Sequence, residues 1–110
     1  MIQDTICALA TASGVGAISV IRLSGPNAIS ICDSVFITKS LEEQRSHTIH
    51  FGTIRSDSNI IDEVLVSIFK NPHSYTGEDV IEVSCHGSSY IQNQLLHLFF
   101  RKGCSHGTSR

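Results

Sequence analysis

Two runs rich in β-branched and aromatic residues, 48–54 and 60–69, are separated by a short polar stretch at 56–59. An antiparallel hairpin is the expected product, because so short a connection cannot carry the crossover that parallel strands need. The second run is the longer and more apolar, and reads as a deeply buried strand. The rest of the chain has to fold around that hairpin. Residues 3–11 read as a first strand and 17–23 as a second, with the small residues of Ser13-Gly14-Val15-Gly16 making the turn between them. Ser24-Gly25-Pro26 then opens a helix: Pro26 suits a first helical position, and Ile29, Cys32, Val35 and Phe36 recur at three- and four-residue spacing. Residues 38–47 form a polar loop. After a further loop at 71–78 comes a strand carrying Glu82. Ser88 or Ser89 caps a last helix whose Ile91, Leu95, Leu98 and Phe99 face the core and which Gly103 ends. The order ββαβββα predicts an α+β fold, a mostly antiparallel sheet with two helices packed on one face.

A chain of 110 residues with 41% hydrophobic residues fits one domain with a modest core. Its formal net charge of −2 and its scattered basic residues provide no lysine and arginine stripe, so direct nucleic-acid binding by this segment is not expected. Cys7, Cys32, Cys85 and Cys104 lie far apart and form no Cys-x-x-Cys pair. They read as reduced core thiols of a cytosolic protein. No apolar run reaches membrane-spanning length and the start lacks the layout of a secretion signal, so a cytoplasmic location without a membrane partner is the expectation.

Two charged residues interrupt apolar strands. Glu82 stands between Ile81 and Val83, where a carboxylate either meets an arginine, N–H donors or a ligand, or points to water from a wet sheet face. Arg22 interrupts the run 18–23 and is the natural counterpart, although an exposed strand arginine fits the spacing somewhat better than a ligand contact does. Other constellations carry less. Gly14-Val15-Gly16 precedes a strand, whereas a dinucleotide fingerprint follows one. No Gly-x-x-x-x-Gly-Lys-Ser/Thr occurs, so GTP hydrolysis is not expected of this chain. His47-x-x-His50 and Cys85-His86 put their side chains on opposite faces of a strand, which argues against a half zinc site and against a Cys–His nucleophile pair. Neither a catalytic group nor a metal site is expected.

The segment Tyr75-Thr76-Gly77-Glu78-Asp79-Val80-Ile81-Glu82, with Cys85-His86-Gly87 after it and Asn71-Pro72 before it, resembles a motif of the amino-terminal domain of the tRNA-modifying GTPases MnmE or TrmE. A second match lies near the start: Asp4-Thr5-Ile6, Ala10-Thr11, Gly14-Val15-Gly16-Ala17-Ile18 and Val20-Ile21-Arg22-Leu23-Ser24-Gly25 follow that family's opening in the same order. The resemblance implies a folate-binding and dimerisation domain over 1–104, followed by a divergent tail at 105–110. It further implies that a 5-formyl-tetrahydrofolate derivative is contacted by Arg22 and Glu82, and that two copies pair. In the full-length parent it implies a GTPase using Mg²⁺ and K⁺. That parent works with a flavin-dependent partner to build the 5-carboxymethylaminomethyl group on a wobble uridine of tRNA. The family continues beyond Gly103-Cys104 with a Pro-Gly-Glu-Phe segment and an Asn-x-Lys-Leu stretch whose lysine also helps bind folate. Here Ser105-His106-Gly107-Thr108-Ser109-Arg110 stands instead, so a fragment or truncated frame is expected, with weakened folate binding. Two rivals accompany this reading: a purely structural dimerisation module or non-functional remnant, and an enzyme like the folate-dependent aminomethyltransferases, which share the fold but are far longer.

Overall fold

The computed structural model describes residues 4–11, 17–71 and 77–107. Its elements follow the order β1 (Ile6–Leu9), β2 (Ile18–Ser24), α1 (Ala28–Asp33), β3 (Thr48–Ser56), β4 (Asn59–Phe69), β5 (Val80–His86), α2 (Ser89–Arg101) and β6 (Ser105–His106). They build one sheet in the order β3-β4-β5-β2-β1-β6, antiparallel throughout except for the parallel pair β1 and β6. The expected α+β class is therefore observed. The hairpin also forms as the sequence demands. Ser56 pairs with Asn59, leaving Asp57-Ser58 as the turn, and Asp57 takes φ 54°, a left-handed conformation that a short polar side chain tolerates.

Alternation along each strand decides what is buried. Ile21, Leu23, Val64, Val66, Ile68, Ile81 and Val83 point to one face and join a core with Cys32 of α1 and with Leu95, Leu98 and Phe99 of α2. The 13-residue α2 lies across β1, β2, β4 and β5. Ser88 is its N-cap, and the Ser88 hydroxyl accepts a hydrogen bond from the Ile91 N–H at 3.3 Å. Replacing Ser88 by alanine strips that orphan donor of its partner, and thermal or urea denaturation is expected to read a loss of about 1 kcal/mol. At the other end Gly103 adopts φ +119°, which stops the helix where expected. Inside the interface the α2 stripe is broken by Gln92, 5% exposed, whose amide donates to the hydroxyl of buried Ser19 on β2.

Two differences from the sequence expectation have physical causes. The first helix is short: it starts after Asn27, so Pro26 lies before it, and it ends at Asp33, leaving Val35 and Phe36 beyond it. Phe36 instead makes a β-bridge to Ile54, and its ring fills the place where a side chain on Gly52 would stand. An aromatic residue beside a β-branched one prefers that extended packing over a further helical turn. The second difference is β6, an element absent from the expected order. The Ser105 N–H donates to the Thr5 carbonyl at 2.8 Å and the Gly107 N–H to the Cys7 carbonyl at 2.9 Å. Backbone pairing alone creates this strand, and a Ser-His dipeptide carries no apolar signal for it.

Candidate functional site

With the helices on one face, the opposite face of the sheet is left open among the described residues. Among its side chains Ile18, Ile49, Phe51 and Leu65 are exposed. In the middle of this apolar setting runs one transverse row, fixed by register: Ile49 opposite Ser67, Ser67 opposite Glu82, Glu82 opposite Arg22, Arg22 opposite Ala8. The two charged residues singled out by the sequence are thus direct cross-strand partners on β2 and β5.

Both Arg22 donors converge on one carboxylate oxygen. Nη2 lies 2.7 Å and Nε 3.0 Å from Glu82 Oε2. The Oε1 edge takes no part in the pair. The side chains are 43% and 31% exposed, so Glu82 is neither buried nor free, and both readings of it hold in part: it faces the wet side, and it is paired. At that exposure the pair adds only a few tenths to about 1 kcal/mol to the fold, which frees it for other use. Its formal charges cancel, so the centre of the face offers an oriented carboxylate and an adjacent guanidinium, with no net charge.

Each end of β5 is tied down by a carboxylate. At its start Asp79 accepts from the Asn71 N–H through Oδ1 at 2.8 Å, while its carbonyl accepts from the Gly25 N–H at 3.0 Å. Next to it Ser24 Oγ donates to Glu78 Oε1 at 3.1 Å. These bonds close the neck of a segment whose residues 72–76, including the Pro72, Tyr75 and Thr76 of the sequence motif, lie outside the described residues, as does the turn at 13–16. At the far end Asp62 accepts from the His86 N–H at 2.9 Å and lies 2.7 Å from His86 Nδ1. Between this clamp and Phe51, Leu65, Ile18 and Ser84 the open face dips into a shallow depression of about 230 Å³. The roomier clefts lie elsewhere, among them one of about 510 Å³ beside Arg55, Asp57, Arg101 and Lys102.

The discounted motifs behave as their spacing requires. Cys85 is buried and its thiol is pushed up to about 11 by burial and by Asp62, whereas His86 is exposed and engaged with Asp62. His47 precedes β3 and meets Phe69 edge-on at 5.4 Å, while His50 bonds to Thr48 at 2.8 Å. Burial, with Lys39 nearby, lowers the His50 pKa. Among the described residues no group of three or more His, Cys, Asp or Glu side chains could hold a metal. Nor is any helix among them long and apolar enough to cross a membrane. The sequence reading missed the flanking Ser67 and Ser84 and the Asp62 clamp. The signal for Asp62 was present, since it interrupts an apolar strand as Arg22 and Glu82 do.

A six-stranded sheet with helices on one face and the Arg22–Glu82 ion pair on the other defines an open-faced α+β domain. Comparison with known proteins sharpens this. A family described as "GTP-binding protein TrmE N-terminus" matches residues 5–109, and the chain belongs to that family. It is 59% identical over 105 residues to a tRNA modification GTPase MnmE of Flavobacterium johnsoniae, a match covering 93% of this chain and 22% of that protein. The corresponding protein of Cytophaga hutchinsonii is 53% identical over 103 residues, covering 94% of this chain and 22% of its own length. That of Bacteroides thetaiotaomicron is 56% identical over 108 residues, again 94% of this chain and 23% of the relative. The chain thus spans a little over a fifth of the curated relatives it matches.

Proposed function

We propose that this chain binds a 5-formyl-tetrahydrofolate derivative on its open sheet face and self-associates there, as the amino-terminal part of a tRNA modification GTPase. The observation that carries the reading is the ion pair that leaves the Oε1 edge of Glu82 outside the Arg22 contact. A pterin edge presents an amino group beside a ring N–H, a donor pair that one carboxylate accepts. Each carboxylate oxygen has two lone-pair sites, so Glu82 can keep Arg22 while accepting from a ligand. Arg22 then orients the carboxylate, and its remaining N–H donors offer a cationic edge to an anionic ligand group. The apolar flank at Phe51 and Leu65 suits a flat ring system. The folate, once bound, supplies one-carbon chemistry; this chain's residues bind and orient it.

In the whole proteins the activity is that of a GTPase using Mg²⁺ and K⁺, acting with a flavin-dependent partner on the wobble uridine of tRNA. This chain contributes the folate site and the pairing of two copies. Four exposed apolar side chains on one sheet face, Ile18, Ile49, Phe51 and Leu65, support a second copy as partner. Phe51→Asp is expected to shift the chain to monomer by light scattering while leaving its circular dichroism unchanged.

Calorimetric titration of the purified chain with 5-formyl-tetrahydrofolate tests the folate reading. Saturable binding with a stoichiometry of one per chain is the expected result, and no heat from a well-folded chain would sink it. A second reading, a dimerisation module with no ligand, is favoured by one observation: Arg22 and Glu82 are already paired with one another. The same titration separates the two, because the module alone predicts a dimer that takes up no folate.

A further inference from the structure

The cleft of about 510 Å³ lies where the end of β3 and its turn, the end of α2 and the segment after α1 meet. Three cations line it: Arg55 comes from β3, Arg101 from the last turn of α2 and Lys102 from its C-cap. Strand and helix bring them from distant parts of the sequence, which is why no cationic stripe shows there, and they gather in a chain whose net charge is −2. We propose that this cleft binds a ribonucleotide unit, free or within an RNA chain, through its phosphate and its ribose hydroxyls. The folate reading rests on Arg22 and Glu82 of the open face and does not bear on this site.

Hydrogen bonds hold two of the cations in place. The Arg55 N–H donates to the Val35 carbonyl at 3.0 Å, which ties the strand end to the segment after α1. Arg101 Nη2 donates to Ser56 Oγ at 2.8 Å, which ties the helix end to the hairpin. That single bond leaves the rest of the Arg101 fork for an anion. Among the described residues the side chains of Arg55 and Lys102 make no hydrogen bond or ion pair, and Asp57, which also lines the cleft, forms no salt bridge with any of the three cations. Cations in the last turn of a helix complement its dipole, which accounts for Arg101 and Lys102. It does not account for Arg55 on a strand. A phosphate does, since its oxygens accept charge-assisted bonds from guanidinium and ammonium donors together. The other lining groups fit the rest of the unit. The Asp57 carboxylate is an acceptor for ribose hydroxyls, and the side chains of Val35, Ile37 and Leu98 offer an apolar wall to a base.

Fluorescence anisotropy of a labelled oligouridylate titrated with the purified chain at low salt tests this. Saturable binding is expected, with an affinity that falls as salt rises because counterions are released. Arg55→Glu and Lys102→Glu reverse exposed charges outside the core, so circular dichroism should be unchanged while affinity drops by about tenfold or more in each. Arg45→Glu makes the same change of charge at a residue that does not line the cleft and should cost much less. Competition with uridine monophosphate separates the two sources: displacement means that a free nucleotide suffices, and its failure means that the unit is taken from within an RNA chain. An oligodeoxyuridylate of equal length should bind roughly threefold or more weakly, and Asp57→Asn should narrow that difference. No binding at low salt, equal losses in Arg45→Glu and Arg55→Glu, or equal affinity for the deoxy strand would overturn the proposal.

Discussion

Glu82→Ala is expected to weaken 5-formyl-tetrahydrofolate binding by on the order of a hundredfold, with little change in stability. The two effects separate because of where the side chain sits. In the fold Glu82 is a partly exposed cross-strand partner of Arg22, and such pairs contribute under about 1 kcal/mol. Toward a ligand it is a charged acceptor for two donors, and hydrogen bonds to charged groups are worth ~1.5–3 kcal/mol each. Glu82→Gln discriminates further. It keeps the volume but replaces one acceptor oxygen by a donor NH₂, which faces the ligand's own N–H, so it should bind no better than Glu82→Ala. Arg22→Gln, which removes the orienting contact and leaves the acceptor, should lose less. Calorimetry on the three variants gives the order, and equal affinity of Glu82→Ala and the parent chain would remove Glu82 from the site.

The second large effect is purely structural. Gly25 joins β2 to α1 at φ +140°, in a region that side chains rarely adopt, and a Cβ there would stand 2.6 Å from the Thr5 Cα and 2.8 Å from the Asp4 carbonyl oxygen. Neither atom belongs to a flexible side-chain end, so the neighbour cannot step aside. Gly25→Ala is expected to cost about 3 kcal/mol or more, combining backbone strain with a clash. That corresponds to a fall of roughly 15 °C in Tm for a domain of this size, measurable by calorimetric scanning. The same crossing is held by the Thr5 hydroxyl, which accepts from the Asn27 N–H at 2.8 Å, so the start of β1 and the entry to α1 should loosen together.

What the sequence disclosed follows from which signals are local. The hairpin was legible because the spacing of its two runs admits little else. Helix α2 was legible from Ile91, Leu95, Leu98 and Phe99 and from its serine and glycine ends. Arg22 and Glu82 stood out because each breaks an apolar strand, and strand pairing then made them neighbours. Their exposure stayed one of two readings, since the same open face also carries Ile18, Ile49, Phe51 and Leu65 and is not marked as polar by its strands. Helix α1 was over-extended because Val35 and Phe36 keep a helical spacing while serving a β-bridge. Strand β6 left no trace in composition, being fixed by two backbone bonds to a strand nearly a hundred residues away in the chain.

That distance has a consequence for biosynthesis. The outer edge of β1 leaves a ribosome well before its partner, which emerges only with Ser105 and His106. Throughout the intervening translation the N–H and C=O groups of that edge have no native cover, and non-local pairing of this kind forms late because closure of the chain must come first. The short length of β1 limits the hazard, for an unpaired edge of four residues is a poor template for a neighbouring nascent chain.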